Sequence, residues 1–314
     1  MLRAFVFPGQ GSQTVGMGKD FYDNFQTARA VFDEVDAILA PFYGHRLSTV
    51  IFEGPEEKLM QTSYAQPALM ATSMAIYRTL EQAFGKPLLT QAAFMAGHSL
   101  GEYSALCAAG VLSLKDTIYL LYHRGKAMAE CVPADGGAMA AIIGLDMDMI
   151  ENITATVGCF IANDNGGSQV VISGEKNAVA KAMEAAHAEG AKRVVALSVS
   201  APFHCPLMQQ AADIMQEKIN ETTFTHALTP VITNVSAMAQ TDASTLKAHL
   251  IDQICGRVRW RESMLSMAEH GEIKDVYEIG AGKVLTGLGK RITSDLSFLS
   301  VSGINDVDIF LRTF

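Results

Sequence analysis

The sequence predicts an α/β fold, a parallel-sheet core interrupted by a smaller inserted unit, on three observations. Short continuous apolar runs bounded by Gly or Pro alternate with helix-like stretches. The middle of the chain departs from that alternation and reads βαββαβ. Loop-forming residues flank this middle unit, Gly136-Gly137 before it and residues 198–202 after it.

The runs at residues 4–7 and 92–96 end at Pro8-Gly9 and at Gly97, as strands buried on both faces of a parallel sheet do. Residues 230–233, 276–279 and 297–301 have the same character. Between them, residues 67–82 read as a helix with Pro67 in its first turn, where the missing N–H costs nothing. Residues 102–109 and 207–220 also read as helices, as do 113–130, where Ser113 and Asp116 have the spacing of a capping box. In the middle, 139–143 is apolar, 147–156 helical, 159–162 and 169–173 apolar, 175–189 helical and 193–197 apolar. That order is the ferredoxin-like one. The predicted division is 1–134 and 199–314 for the core and 135–198 for the insert. The two ends of an insert leave the core together, which sets residues near 124–136 beside those near 198–205 and opens a cleft there.

At 314 residues the chain suits one large domain or a large domain carrying a smaller one. The first apolar run is too short for a secretion signal, and no stretch approaches the ~18–20 apolar residues of a membrane span. A cytoplasmic protein with no membrane partner is expected. The five cysteines, at 107, 131, 159, 205 and 255, form neither C-x-x-C nor a zinc spacing, so reduced thiols and no metal are expected. A net charge of −9 argues against nucleic acid as a partner. No repeat or low-complexity tract is present.

Gly97-His98-Ser99-Leu100-Gly101 fits G-x-S-x-G between an apolar strand and a helix, the context that motif requires. The plain reading is a tight glycine turn with a buried serine; the flanking strand and helix favour a nucleophile at a helix N-terminus. A serine nucleophile needs a base. His204 stands between Pro202 and Pro206 ahead of a helical stretch, a rigid mount. His98 is a rival, although an immediate neighbour on a tight turn points away from the serine. His123, on a helix, reads as structural. No acidic residue near His204 offers itself as a third member, so the reading is a Ser–His dyad whose imidazole is oriented by a backbone or amide oxygen.

These residues come with Phe7-Pro8-Gly9-Gln10-Gly11-Ser12-Gln13, Gln66-Pro67-Ala68, Glu102 after the elbow, Arg124-Gly125, Asn163 and Gln253. In that order, from residue 5 to about residue 291, they resemble the malonyl-CoA:acyl-carrier-protein transacylases of fatty-acid synthesis. The resemblance implies an α/β-hydrolase-like core with a ferredoxin-like insert. It makes Ser99 the nucleophile, His204 the base and the N–H groups of Gln10 and Leu100 the oxyanion hole. It gives the Gln253 carbonyl the task of orienting the histidine, which accounts for the missing acid. Gln66 and Asn163 match polar positions of the cleft. Arg124 matches the residue that pairs with the malonyl carboxylate, a task suited to a guanidinium fork. Its plain alternative is a helix-surface ion pair with Asp116 or Glu130. Phe203 would narrow the pocket beside the acyl C2, or simply pack.

The implied reaction is ping-pong transfer through a malonyl-serine ester to the phosphopantetheine thiol of acyl carrier protein, with no cofactor and with the enzyme a monomer. An acidic carrier needs a local basic face on an acidic enzyme. Lys192-Arg193 and Lys290-Arg291 stand at family-like positions for it; solvated surface charge is the other reading. Rivals are a serine thioesterase or lipase, which has no use for Gln10 or Arg124, and a stand-alone acyltransferase serving polyketide carriers. A non-catalytic carrier-binding relative would not keep Ser99, His204 and Arg124 together. Two glycine-rich stretches carry no nucleotide site. Thr14 replaces the third glycine of a dinucleotide fingerprint. Tyr277 and Val284 break the phosphate-loop pattern around Gly280-Ala281-Gly282-Lys283, which reads as a helix start.

Overall fold

The computed structural model describes residues 2–133, 136–199 and 201–313. Its strands are β1 (Leu2–Phe7), β2 (Ala92–Gly97), β3 (Gly137–Ile143), β4 (Phe160–Asp164), β5 (Gln169–Glu175), β6 (Arg193–Ala196), β7 (Val231–Ile232), β8 (Ala239–Gln240), β9 (Ile273–Ile279) and β10 (Ser297–Val301). They form two sheets. The larger has six strands in the order β10-β9-β1-β2-β7-β8, all parallel except the edge strand β8. The smaller has four antiparallel strands in the order β4-β5-β3-β6.

The central strand β1 is buried from Arg3 to Phe7, as its unbroken apolar run requires of a strand covered on both faces. Phe5 and Phe7 pack on Tyr77 of the helix Thr62–Phe84, and Phe5 also meets Tyr277 and Phe310. The smaller sheet has an apolar cluster of its own, in which Ile142, Val170 and Ile172 face Ile150, Val179 and Ala182 from its two helices, Met147–Val157 and Lys176–Ala188.

The two sheets meet where the chain crosses between them. A Cβ on Gly137 would stand 2.3 Å from the Pro202 ring, so the segments entering and leaving the smaller sheet touch. The expected division at 134/135 lies outside the described residues. On the far side, Val258 N–H donates to Ala162 O at 2.8 Å and Asp164 N–H to Val258 O at 2.9 Å, tying β4 to the core.

One element differs from expectation. The helix begins at Thr62 rather than near Pro67, so Pro67 lies inside it. The ring removes the N–H that would reach Ser63 O, one turn back. The Tyr43 hydroxyl donates to that carbonyl instead, and the helix passes through the proline without an orphaned acceptor. The Ser113 cap forms as predicted, accepting from Asp116 N–H at 3.0 Å. Lys283 stands at the N-cap position of the helix Val284–Ile292 without a side-chain cap, and the Leu285 and Thr286 N–H groups donate to the Glu278 carboxylate. Among the described residues no helix is long and apolar enough to cross a membrane.

Candidate active site

β2 runs into the helix Gly101–Ala108 through a turn that only glycine permits. A Cβ on Gly97 would lie 1.9 Å from the Gly101 carbonyl carbon, and one on Gly101 would lie 2.2 Å from Phe7 O. Between them Ser99 holds φ 52°, the left-handed region that a serine rarely occupies. Asn234 locks the turn. Its Oδ1 accepts from Ser99 N–H at 2.8 Å, and its Nδ2 donates to Gly97 O at 2.7 Å. The Ser99 N–H is thereby committed, and Leu100 carries the next N–H at the start of the helix.

His204 also sits at positive φ, 59°, and is only 4% exposed. Its Nδ1–H donates to Gln253 O at 2.8 Å, which fixes the tautomer and leaves the Nε2 lone pair facing Ser99 Oγ at 2.8 Å. Burial first, and the Arg124 charge second, lower the imidazole to about 3. A neutral base therefore faces the serine. His98 turns its Nε2 to Asn165 Oδ1 at 2.8 Å, and His123 lies among the rings of Phe42, Tyr119 and Tyr122.

Arg124 reaches the serine from the helix Leu114–Glu130. Gly125 makes this possible: a Cβ there would meet Thr62 O at 2.8 Å, so the two helices close on each other at Thr62 and Ser63, one turn before Gln66. Arg124 is 1% exposed, which excludes the helix-surface ion pair. Its Nη1 donates to Gln66 Oε1 at 2.8 Å, and its Nη2 to Gln253 Oε1 at 2.8 Å and Ser99 Oγ at 3.1 Å. Its guanidinium carbon lies 5.5 Å from the Tyr103 ring centroid.

Gln253 joins these parts. Besides holding His204 with its carbonyl and Arg124 with its amide oxygen, it donates from Nε2 to Ser99 O at 3.0 Å and to Glu102 Oε2 at 3.0 Å. Glu102 Oε2 also accepts from Asn234 N–H at 2.8 Å. Burial pushes the Glu102 carboxyl up to about 7, against the opposing pull of those hydrogen bonds and of Arg124.

A cavity of about 330 Å³ opens over this group. Gln10, Gln66, Leu100, Asn163 and Phe203 line it together with Ser99, Arg124 and His204, whereas Gln253 lies behind the wall. Lys192, Arg193, Lys290 and Arg291 are exposed and stand outside it. Two of them flank the turn between β4 and β5, Arg291 directly and Lys192 through Gly144. The Lys192 chain covers Gly144, whose N–H donates to Ser168 O at 2.9 Å, and Arg291 covers Gly167 and donates to Gln169 Oε1 at 3.3 Å.

Sequence reasoning missed Asn234, gave Glu102 no task, and saw only the backbone of Gln253. One signal was present for Glu102: it is the sole charged residue in the helix Gly101–Ala108, whose other residues are small or largely apolar, a placement that buries a carboxylate.

Known proteins resemble this chain throughout its length. The family model described as an acyl transferase domain matches residues 4–293. The malonyl CoA-acyl carrier protein transacylase of Escherichia coli (strain K12) is 44% identical over 298 residues, 94% of each chain. Its counterpart from Bacillus subtilis (strain 168) is 42% identical over 315 residues, covering 99% of this chain and 96% of the relative. The acyl-carrier-protein-S-malonyltransferase of Bartonella henselae superposes with a TM-score of 0.95 at 48% identity, covering 100% of this chain and 99% of that one. A malonyl-transacylase solved in complex with a type II PKS acyl-carrier protein superposes at 0.94, with 41% identity and full coverage of both chains.

Proposed function

This chain belongs to the acyl transferase family, and from that premise we propose that it moves a malonyl group from malonyl-CoA to the phosphopantetheine thiol of acyl carrier protein, supplying fatty-acid elongation. The observation that carries the reading is Arg124, a buried guanidinium bonded to the nucleophile itself. A hydrolase of neutral acyl groups has no use for such a cation, whereas an acyl group ending in a carboxylate does.

In the first half-reaction His204 Nε2 takes the Ser99 proton as Oγ attacks the thioester carbon. The Gln10 and Leu100 N–H groups take the oxyanion, a contribution on the order of 10²–10³ in rate per donor in comparable sites. The C–S bond breaks and His204 returns the proton to the CoA sulfur. The carrier thiol then attacks the malonyl-serine ester, with His204 again the base. Arg124 leaves Ser99 Oγ for the malonyl carboxylate, keeping Gln66 as its second partner. Asn163 and Phe203 shape the opposite wall, Phe203 beside the acyl C2. Nucleophile, base and oxyanion donors are all protein groups, so the cycle needs no metal or cofactor.

In this reading the chain works as a cytoplasmic monomer without nucleic-acid or membrane partners. The carrier approaches the basic turn between β4 and β5. The strand order β4-β5-β3-β6, with both helices following strands of that sheet, supports a ferredoxin-like insert spanning 135–198 in an α/β-hydrolase-like core of 1–134 and 199–314. A carrier of polyketide synthesis would use the same residues, and competition between the two carrier types for the loaded enzyme distinguishes them.

The test is to mix the protein with malonyl-CoA and weigh it. A persisting malonyl adduct supports transfer, and rapid release of free malonate without an adduct supports hydrolysis.

A further inference from the structure

Arg124 has no direct anionic partner among the described residues. Among the described residues no carboxylate stands within ion-pair distance of it; its partners are the neutral oxygens of Gln66, Gln253 and Ser99 and the Tyr103 ring. A guanidinium cannot shed its proton to escape burial, so a counter-charge must lie near. Glu102 is the buried acid that supplies it. One amide separates the two: Gln253 Oε1 accepts from Arg124, and Gln253 Nε2 donates to Glu102. Each charged group also keeps one buried atom without a hydrogen-bond partner, Arg124 Nε and Glu102 Oε1. The amide is oriented by a cation at one end and a carboxylate at the other, and its backbone carbonyl holds the base.

We infer that Glu102 is the resident counter-charge of Arg124, a positioning residue that yields its charge when a malonyl carboxylate takes the guanidinium and that then binds one proton from solvent. This rests on the proposal that the malonyl carboxylate docks on Arg124. With substrate bound, the buried site would hold two carboxylates and one guanidinium. The carboxylate without a direct ion pair is the one that protonates. The titratable groups facing Glu102 are Arg124, across the Gln253 amide, and Tyr103 of its own helix. Tyr103, pushed up to about 12 by burial, stays neutral and does not compete for the proton. Because the Glu102 carboxyl already stands near 7, a small loss of positive field decides its charge.

The experiment mixes enzyme with stoichiometric malonyl-CoA in weak buffer containing a pH indicator, for the native protein and Glu102→Gln, and weighs the adduct in each. At about pH 8 the native protein should take up close to one more proton per adduct than Glu102→Gln, because CoA is released equally in both. Infrared difference spectra of the native protein give a reading that needs no variant. Acylation should produce a protonated-carboxyl band that does not shift when the malonyl group carries ¹³C. Failure to form any malonyl adduct defeats the transfer reading instead. An adduct with no extra uptake, or with only a ¹³C-sensitive carboxyl band, overturns the role of Glu102.

Discussion

The two sides of the cleft are built on different principles. On the side of the six-stranded sheet, Ser99, Arg124, Gln66, Glu102, Asn234 and Gln253 form one hydrogen-bonded network, nearly all of it buried. The smaller sheet contributes Asn163 and the apolar surfaces of Met139 and Leu197, and the exposed Lys192 and Arg291 lie against its outer turns. A buried polar network is strong because its dielectric is low, and fragile for the same reason. Exposed charges steer a partner and tolerate change. The contrast teaches that chemistry and carrier recognition are separable in this molecule, and lesions on the two sides should differ in kind.

The largest effect should come from the network side. Ser99→Ala should abolish the malonyl adduct and lower transfer on the order of 10⁴- to 10⁶-fold. Intact protein mass after incubation with malonyl-CoA reads this directly. A label that persists would move the nucleophile elsewhere. Next, Arg124→Ala should cut malonyl transfer about 10²- to 10⁴-fold more than acetyl transfer, the equivalent of the ~3–5 kcal/mol lost when one partner of a buried pair is stranded. Equal losses for the two acyl donors would make Arg124 a scaffold for Gln253 rather than a selector of acids.

Much of this arrangement was legible in the sequence, for reasons that also explain what was not. The parallel strands announce themselves because burial on both faces demands unbroken apolar runs. The elbow is readable because Gly97 and Gly101 are forced by backbone contacts as close as 1.9 Å and 2.2 Å. The edge strand β8, two residues long, has no pattern to read. Pro67 misled because its lost hydrogen bond is replaced by a hydroxyl from Tyr43, a tertiary contact that local rules cannot see. The connecting residues failed to appear for a related reason. Asn234 and Gln253 meet Glu102 across 132 and 151 positions of sequence, and a polar side chain that bonds over such separations leaves no periodicity.

The smaller-sheet side is tested by its charges. Reversal of Lys192-Arg193 together with Lys290-Arg291 should raise KM for the carrier protein about tenfold, with the loss growing at low salt. Acylation by malonyl-CoA should keep its rate, since none of the four lines the cavity. An unchanged KM would reduce these residues to solvated surface charge. A slower acylation would break the contrast itself, because it would put the outer turn in communication with the network.

The smallest expected effect is an absence of change, and it is the most exacting for the network. An ordinary histidine loses its basicity as pH falls through about 6.5. His204 is held to about 3, first by burial and then by the Arg124 charge, so kcat/KM for acylation should stay level from about pH 7 to about pH 5. Glu102 takes up its proton around 7, at the upper edge of that window, but it bonds to Asn234 N–H and Gln253 Nε2 and to neither Ser99 Oγ nor His204, so its titration leaves the base itself unprotonated there. Folding stability must carry the consequence. Between the folded value of His204 and its unfolded value near 6.5, the unfolded chain binds the extra proton, so this residue destabilises the fold as pH falls. Glu102 acts in the opposite sense: its raised carboxyl favours the folded protein below about 4.5, and that contribution is lost as pH rises through 7. Between about pH 6.5 and pH 5 the two slopes oppose each other, so these two groups together should leave the unfolding free energy nearly level while the acylation rate also stays level. An acid limb in the rate near 6.5 would mean that water reaches the imidazole, and that the network side is as open as the basic turn across the cleft.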